Sequence, residues 1–459
     1  MRGRRVAALS ALALVAGLLG GCAAREQDST REPAEVAADG YVYGYAPIAL
    51  ARTRANMICL LPVNQLYSQA AMSGPETRVV VAPNADTLYS IAWLDLRAGP
   101  VLLTHPAMGE RYFDFQLLDM YTNVFDTIGT RQTGQAAGSH AIVPPGWRGE
   151  TPAGAVVIES PTWDAWMIGR TLVESDADLA AARAAQQQYR MTVLESPVPD
   201  APPSLPPTDC GNNPAPQAIA AAGPPFFDEL SAILAANPPP AEDAPMLEQL
   251  ATLGVAPGAT PSRGEPEDVA ALAAGVVRGD KQIVGLAHTS FGGGAWSSLQ
   301  DAGRYGTDYL HRAGVAKIGL GANVPEESMY YVARTDAGGA ELRGRSADDA
   351  PQRAASGYRL HFPAGGLPPI DERGFWSVTM YGPDMFFVAN PLGRYAIGDR
   401  TPGLVRGDDG SLDLWIGAQP PASGTSNWLP APPGEFVIML RSYLPTDQAW
   451  TPPVPERLR

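Results

Sequence analysis

Alternating apolar and polar positions dominate two stretches of the chain, and a helical repeat dominates the stretch between them. Short apolar runs separated by turns recur at roughly ten-residue spacing across residues 78–172, a pattern typical of a β-sandwich or jelly roll. The same pattern returns in residues 328–443. Apolar residues at three- and four-residue spacing predict helices over residues 176–194, 225–236, 244–253, 266–287 and 298–313.

These patterns predict an α+β protein that is mainly β, with two β-sandwich or jelly-roll-like domains joined by a helical middle segment. We place an N-terminal helix and the first β-rich domain in residues 36–175, the helical connection in residues 176–325 and the second β domain in residues 326–459. Residues 197–216 hold too many prolines for regular structure, which predicts a linker or a surface segment. A chain of 459 residues has room for this many units.

A weak internal repeat connects the two β regions. Residues 111–113 followed by residues 119–123 resemble residues 373–375 followed by residues 384–390. Two related β-sandwiches would explain the repeat, and so would chance similarity between two aromatic hairpins.

The first 22 residues have the form of a bacterial lipoprotein leader. Three arginines precede an apolar run over residues 6–19, which is shorter than a membrane-spanning helix needs. The run ends in Leu19-Gly20-Gly21-Cys22, which resembles a lipobox. An ordinary signal peptide with a chance cysteine is the alternative.

From the lipobox we predict a signal peptide in residues 1–21, lipidation of Cys22 and a tether in residues 22–35. The lipid would hold the mature protein on a membrane of the cell envelope, facing the periplasm or the cell exterior.

Composition excludes several classes of function. The formal net charge of −15 argues against binding nucleic acid. The chain has no phosphate-binding loop, zinc-protease motif or serine-hydrolase elbow, and its histidines lack metal-ligand spacing, so we predict neither a cofactor nor a metal. Cys59 and Cys210 either form one disulfide or remain two thiols, and the oligomeric state stays open.

Polar side chains gather in two segments at predicted strand ends. Residues 82–93 begin with a Pro-Asn turn signal and continue as an alternating strand. Residues 390–400 form the second segment, and Arg170 and Arg441 belong to a wider polar set at other strand ends. The candidate ligand-binding residues are Asn84, Asp86, Tyr89, Arg111, Asn123, Arg131, Asn390, Arg394, Asp399 and Arg400.

Two interpretations of these residues remain open. Arginines beside aspartates form buried ion pairs that hold loops in place. The same side chains can instead line a pocket for a hydroxylated or anionic small ligand, with an aspartate available for proton transfer.

Several motifs resemble two bacterial families. The motifs in residues 43–47, 83–90, 119–125 and 129–131 are similar to domain of unknown function 1254. Those in residues 358–362, 374–379, 390–400 and 427–430 are similar to its usual companion, domain of unknown function 1214. The resemblance implies an N-terminal β-rich domain, a helical connection and a C-terminal jelly-roll-like domain. It implies no activity and no catalytic residues.

Three functions are compatible with the sequence. The first is a lipid-anchored envelope protein that binds a small polar or glycan-like ligand in a pocket between the two β domains, lined by Asn84, Asp86, Arg394 and Asp399. The second is a hydrolase of a glycan, amide or ester with Asp86 as acid or base. The third is a structural scaffold. The surroundings of Asp86 distinguish the first two, because an acid or base needs open space for its substrate.

Overall fold

The computed structural model describes residues 31–78, 81–194, 196, 198–214, 218–289, 295–344 and 357–458. The leader and Cys22 lie outside the described residues. The helices are α1 (Pro33–Ile58), α2 (Leu179–Gln186), α3 (Pro225–Ala236), α4 (Ala244–Ala251), α5 (Pro266–Thr289) and α6 (Tyr309–Gly319). The strands before α3 are β1 (Tyr67–Ser68), β2 (Thr87–Asp95), β3 (Val101–His105), β4 (Phe113–Leu118), β5 (Val124–Gly129), β6 (Gly138–Val143), β7 (Val156–Glu159), β8 (Asp164–Leu172) and β9 (Arg190–Val193). The strands after α5 are β10 (Trp296–Ser298), β11 (Ser328–Ala333), β12 (Arg343–Gly344), β13 (Gly357–Phe362), β14 (Ile370–Tyr381), β15 (Ala396–Gly398), β16 (Leu412–Gly417), β17 (Trp428–Pro430), β18 (Gly434–Glu435), β19 (Val437–Pro445) and β20 (Glu456–Leu458).

Each β domain is a sandwich of a five-stranded and a four-stranded sheet. In the first domain β1-β2-β8-β4-β5 packs on β7-β6-β3-β9, and Leu94, Phe113, Phe115 and Met167 are buried between the sheets. In the second domain β10-β11-β19-β14-β15 packs on β17-β16-β13-β20, and β12 and β18 form a separate ribbon. The two sandwiches, with helices between them in the chain, confirm the predicted α+β fold that is mainly β.

The two sandwiches share one topology. Their strands take equivalent places in the same chain order, and each has one parallel pair, β6 with β7 and β16 with β17. The strand registers give the equivalent residues. Arg170 on β8 lies between Tyr89 on β2 and Asp114 on β4. In the same way, Arg441 on β19 lies between Tyr330 on β11 and Ser377 on β14.

The weak sequence repeat is therefore a structural repeat, displaced by one residue. The strand register matches residues 111–113 with residues 374–376, not with residues 373–375. Because side chains alternate between the two faces of a strand, a displacement of one residue exchanges core-facing and outward-facing positions.

The helices pack together beside the sandwiches around α1. This helix contacts α3, α4, α5 and α6, and Tyr41 and Phe226 lie in their common core. α1 and α5 approach closely at Gly275, where a Cβ atom would lie 2.3 Å from the Cβ of Ala37. None of the described helices is long and apolar enough to cross a membrane.

The helix predicted over residues 176–194 is wrong in its second half. α2 ends at Gln186, and the following Arg190–Val193 forms β9, which pairs with β3. Pairing with an existing sheet overrides the weak helical pattern of this segment. The first sandwich thus extends beyond residue 175, and the second begins before residue 326, because β10 pairs with β11.

Cys59 and Cys210 form a disulfide, the first of the two alternatives that the sequence left open. Their Cα atoms are 5.6 Å apart. The bond ties the end of α1 to the proline-rich segment, in which Asn213 also donates to the Ala55 carbonyl at 3.0 Å. The described residues of the segment, 198–214, thus lie against α1 at Asn213 and Pro214, and the Pro202 carbonyl accepts from Arg97 of the first domain.

We expect the double substitution Cys59→Ser and Cys210→Ser to lower the free energy of unfolding by about 2–4 kcal/mol, because the bond closes a long loop in the unfolded chain. Urea unfolding of the two proteins measures the difference. Maleimide labelling of unfolded, unreduced wild-type protein is the control, and modification of both Cys59 and Cys210 there would contradict the pairing.

Candidate ligand-binding site

The five-stranded sheets of the two sandwiches face each other. Each sheet turns alternate side chains towards its own core and the others towards the second domain. The outward set includes Tyr89 and Arg170 from the first sheet and Tyr330 and Arg441 from the second. These residues line a cavity of about 800 Å³ between the two domains.

The cavity has largely apolar walls and a polar floor. Leu60, which is 82% exposed, and Tyr67, which is 45% exposed, lie at the mouth. A cavity of this volume accommodates a drug-sized molecule. The apolar walls include Ile91, Trp166, Ile168, Leu299 and Leu320, and the buried polar floor is formed by Asn84, Arg170, Tyr330, Arg441 and Tyr443.

Two reciprocal ion pairs join the facing domains. Asp86 of the first domain accepts from Arg400 of the second at 2.6 Å, and Glu327 of the second accepts from Arg131 of the first at 2.7 Å. Both carboxylates immediately precede equivalent strands, β2 and β11, and both arginines follow equivalent strands, β5 and β15. This mutual exchange of contacts indicates an approximate twofold relation between the domains.

Asp86 is a structural carboxylate in this arrangement. Besides Arg400 it accepts from the Ser377 hydroxyl at 2.7 Å, and its residue is 6% exposed. It does not line the cavity. The geometry thus follows the ion-pair interpretation and gives no support to a hydrolase with Asp86 as acid or base, because Arg400 and Ser377 occupy the two carboxylate oxygens.

Arg170 lies on the cavity floor with a full set of partners. Its guanidinium contacts Asp114 at 2.9 Å and Gln116 at 3.1 Å, and it donates across the domain interface to Asn323 at 3.0 Å. Burial raises the pKa of the Asp114 carboxyl, and the positive charge of Arg170 opposes the rise. The pair is fully within the protein, since Arg170 is 5% and Asp114 0% exposed.

Arg441 occupies the equivalent place in the second domain. It donates to the Thr379 hydroxyl at 3.1 Å and, across the interface, to the Ala82 carbonyl at 2.7 Å. These two contacts correspond to those that Arg170 makes with Gln116 and Asn323.

The two arginines differ in their carboxylate partner. Ser377 stands where the repeat would place the equivalent of Asp114, and its hydroxyl donates to Asp86. Among the residues that the structure describes, no carboxylate oxygen lies within 4.0 Å of a guanidinium nitrogen of Arg441, which is the distance of an ion pair. The floor therefore combines two buried guanidinium groups with one buried carboxylate.

Tyrosine hydroxyls supply hydrogen-bond donors to the floor. Asn84 donates to the Tyr443 hydroxyl at 2.6 Å, and the backbone N–H of Asn323 donates to the Tyr330 hydroxyl at 3.1 Å. Each hydroxyl uses its oxygen as an acceptor and keeps its hydrogen to donate. Burial raises the pKa of Tyr89 and holds that of Tyr443 well above its ordinary value, so both remain protonated.

Two predicted residues of the first domain have other partners. Arg111 donates to Asp178 at 2.7 Å, whereas Asn123 donates to Asp119 at 3.1 Å and accepts from the backbone N–H of Tyr305 at 3.3 Å. Neither lines the cavity.

Three predicted residues of the second domain also lie away from the cavity, which corrects the expectation that Arg394 and Asp399 line it. Asn390 donates to the Arg394 carbonyl at 3.0 Å, and Arg394 donates to carbonyls of a neighbouring loop. Asp399 lies 3.4 Å from Arg400, and burial raises the pKa of its carboxyl to about 6. Of the ten candidates, Asn84 and Tyr89 line the cavity, and Asp86, Arg131 and Arg400 form the ion pairs beside it.

The sequence did not select the residues that dominate the floor. Arg170 and Arg441 stood only in the wider polar set, and Tyr330 and Tyr443 were missed. A signal was present in residues 167–173 and 438–444, which have an arginine at their centres. With the repeat aligned in its true register, the two arginines match, and so do Tyr89 and Tyr330.

Comparison with known proteins confirms the resemblance found in the sequence. Residues 63–193 match the family model described as protein of unknown function (DUF1254), and residues 327–447 match the one described as protein of unknown function (DUF1214). No curated protein matches the chain significantly.

A solved structure from another bacterium shows the same fold. The crystal structure of the VPA0106 protein from Vibrio parahaemolyticus is 23% identical, with a TM-score of 0.68 over 93% of this chain and 100% of that one. An uncharacterised protein from Burkholderia cenocepacia is 12% identical, with a TM-score of 0.42 over 91% of this chain and 87% of that one.

We expect Asp86→Asn to lower the free energy of unfolding by about 2 kcal/mol, because it removes the closer carboxylate partner of Arg400 and leaves only Asp399 at 3.4 Å. The matched control is Asp384→Asn, which breaks the interdomain ion pair between Asp384 and Arg78. The side chains of Asp384 and Arg78 are 51% and 52% exposed. The control should lose less than about 1 kcal/mol. Urea unfolding measures both variants, and equal losses would contradict the role given to Asp86.

Proposed function

Because residues 63–193 and 327–447 match two families, DUF1254 and DUF1214, whose descriptions carry no activity, we propose a function from the cavity. The protein is a lipid-anchored envelope protein that binds a small molecule between its two β domains. The observation that carries the proposal is the cavity itself, with buried polar side chains at its closed end and apolar walls up to its mouth.

The size of the cavity favours a binding protein over a scaffold. Protein interiors are close-packed, and voids larger than a few water molecules are rare where nothing is bound. A scaffold would gain stability by closing this space with apolar side chains. Instead, Arg170 and Arg441 are held inside it by contacts from both domains.

The lining favours a molecule with both an apolar and a polar part. Aromatic and aliphatic side chains form most of the walls, whereas the polar groups converge at the floor. Binding sites of this kind take their affinity from the apolar surface and their orientation from a few polar contacts. A strongly hydroxylated glycan would leave many hydrogen-bonding groups unpaired against these walls.

The proposed location rests on the leader and the lipobox at Cys22. The disulfide between Cys59 and Cys210 supports it, because disulfides persist in oxidising compartments such as the periplasm and the cell exterior.

We expect a chain that lacks residues 1–22 to bind the neutral apolar probe N-phenyl-1-naphthylamine in the cavity. Ile91→Trp fills part of the cavity from β2 and should weaken binding by about tenfold. The matched control is Val157→Trp, which adds the same side chain at a surface position that is 52% exposed and should leave binding unchanged. Fluorescence titration measures all three proteins. Equal binding by wild type and Ile91→Trp would contradict binding in the cavity.

We expect the full chain, expressed in a bacterium with lipoprotein processing, to partition into the detergent phase of a phase-separating detergent because of the lipid on Cys22. Mass spectrometry of the N-terminal peptide identifies the modification. Cys22→Ala should abolish the acyl mass. A mature N-terminus without acyl chains in the wild type would contradict the anchor and leave the ordinary signal peptide as the explanation.

A further inference from the structure

The charges around the cavity do not balance. Among its lining residues Arg78 pairs with Asp384 at the mouth, and Arg170 pairs with Asp114 on the floor. Arg441 is 3% exposed and lacks such a partner within the described part of the chain. No aspartate or glutamate is among the described residues that line the cavity. Because a buried charge without a counter-ion costs several kcal/mol, this arrangement calls for an anion.

Arg441 also has donors to offer. A guanidinium group carries five N–H donors in a planar fork, of which Thr379 and Ala82 each accept one and the Tyr381 hydroxyl accepts a further one. The remaining donors suit the two oxygens of a carboxylate, which arginine binds in a bidentate manner. The hydroxyls of Tyr330 and Tyr443, each with a hydrogen to donate, lie on the same floor.

We propose that the cavity binds an amphipathic monocarboxylate, with its carboxylate on Arg441 and its alkyl or aryl body along the apolar walls towards the mouth. This inference rests on the proposed function and names the ligand class for the same site. A single negative charge balances the single unpaired arginine. A dianion such as a phosphate monoester would leave one charge in excess in a buried, low-dielectric site.

The asymmetry of the repeat gives the ligand one orientation. Asp114 already occupies the guanidinium of Arg170, whereas Ser377 leaves the equivalent side of Arg441 without a carboxylate. The ligand carboxylate therefore supplies to Arg441 the negative charge that Asp114 supplies to Arg170, but from the cavity side, because neither Asp114 nor Ser377 lines the cavity.

The test compares octanoate with octan-1-ol and octylamine, which share its chain and differ in charge. Isothermal titration uses the full chain in nanodiscs of neutral lipid, with empty nanodiscs as the blank. We expect octanoate to bind at least about tenfold more tightly than the alcohol or the amine, as a charge-assisted bond predicts. Equal affinity for octanoate and octan-1-ol would overturn the inference.

Variants of the floor locate the charge recognition. Arg441→Gln should weaken octanoate binding about tenfold or more and leave octan-1-ol binding unchanged. Arg343→Gln removes an arginine that is exposed in the second domain and should change neither. Octanoate binding that survives Arg441→Gln at wild-type strength would overturn the inference.

A second variant tests the same point if Arg441→Gln does not fold. Ser377→Asp restores the counter-ion that the first domain has in Asp114, and it should abolish the preference for octanoate over octan-1-ol. A preserved preference in folded Ser377→Asp protein would also contradict the site.

The dependence of binding affinity on the chain length of the acid distinguishes two sources of the ligand. A series from hexanoate to dodecanoate that binds more tightly with each added carbon indicates a fatty acid from the membrane. An optimum at the shorter chains indicates a free organic acid from the aqueous phase, and either result supports a monocarboxylate site.

Failure of this inference is distinguishable from failure of the proposed function. If octanoate, octan-1-ol and octylamine bind equally and Ile91→Trp weakens all of them, the cavity binds small molecules without selecting anions. If none of them binds, and N-phenyl-1-naphthylamine does not bind either, the cavity is not a binding site.

Discussion

Two ion pairs cross the domain interface and join the facing sheets, and the cavity lies between the domains that these pairs connect. Asp86 with Arg400 and Glu327 with Arg131 lie at equivalent ends of the two sheets. Asp86 and Glu327 are buried, whereas Arg131 and Arg400 remain partly exposed, and a buried carboxylate is costly unless a cation pairs with it. Between these ties the sheets meet through arginines and tyrosines, and the space that remains has a polar floor.

The repeat makes this geometry nearly symmetric, and the departure from symmetry gives it chemical meaning. Arg170 and Arg441 share their strand position, a polar partner on the next strand and a contact across the interface. They differ in that Asp114 faces the first and Ser377 lies at the matching place by the second. One half of the floor is thus internally neutral, and the other half needs an anion.

The sequence predicted the fold class well because strand and helix periodicity is local. It wrongly predicted a helix for the residues of β9, because they follow an Ala-rich helical pattern. These residues form a strand by pairing with β3, which lies far away in the chain. The candidate site was predicted only in part. Asn84 and Tyr89 were selected from a local turn and strand pattern, whereas the partnership of Asp86 with Arg400 spans 314 residues and leaves no local trace. The repeat found in the sequence covers only residues 111–123 and 373–390, so it gave no sign of the match between Arg170 and Arg441 on later strands.

The most direct test of the account is a crystal structure of the protein with 8-bromooctanoate. The carboxylate should lie within hydrogen-bonding distance of Arg441, and the anomalous signal of the bromine should lie between the apolar walls, towards Leu60 and Tyr67 at the mouth. Bromine density only on the outer surface, or a carboxylate bound elsewhere with the floor unoccupied, would contradict the central claim.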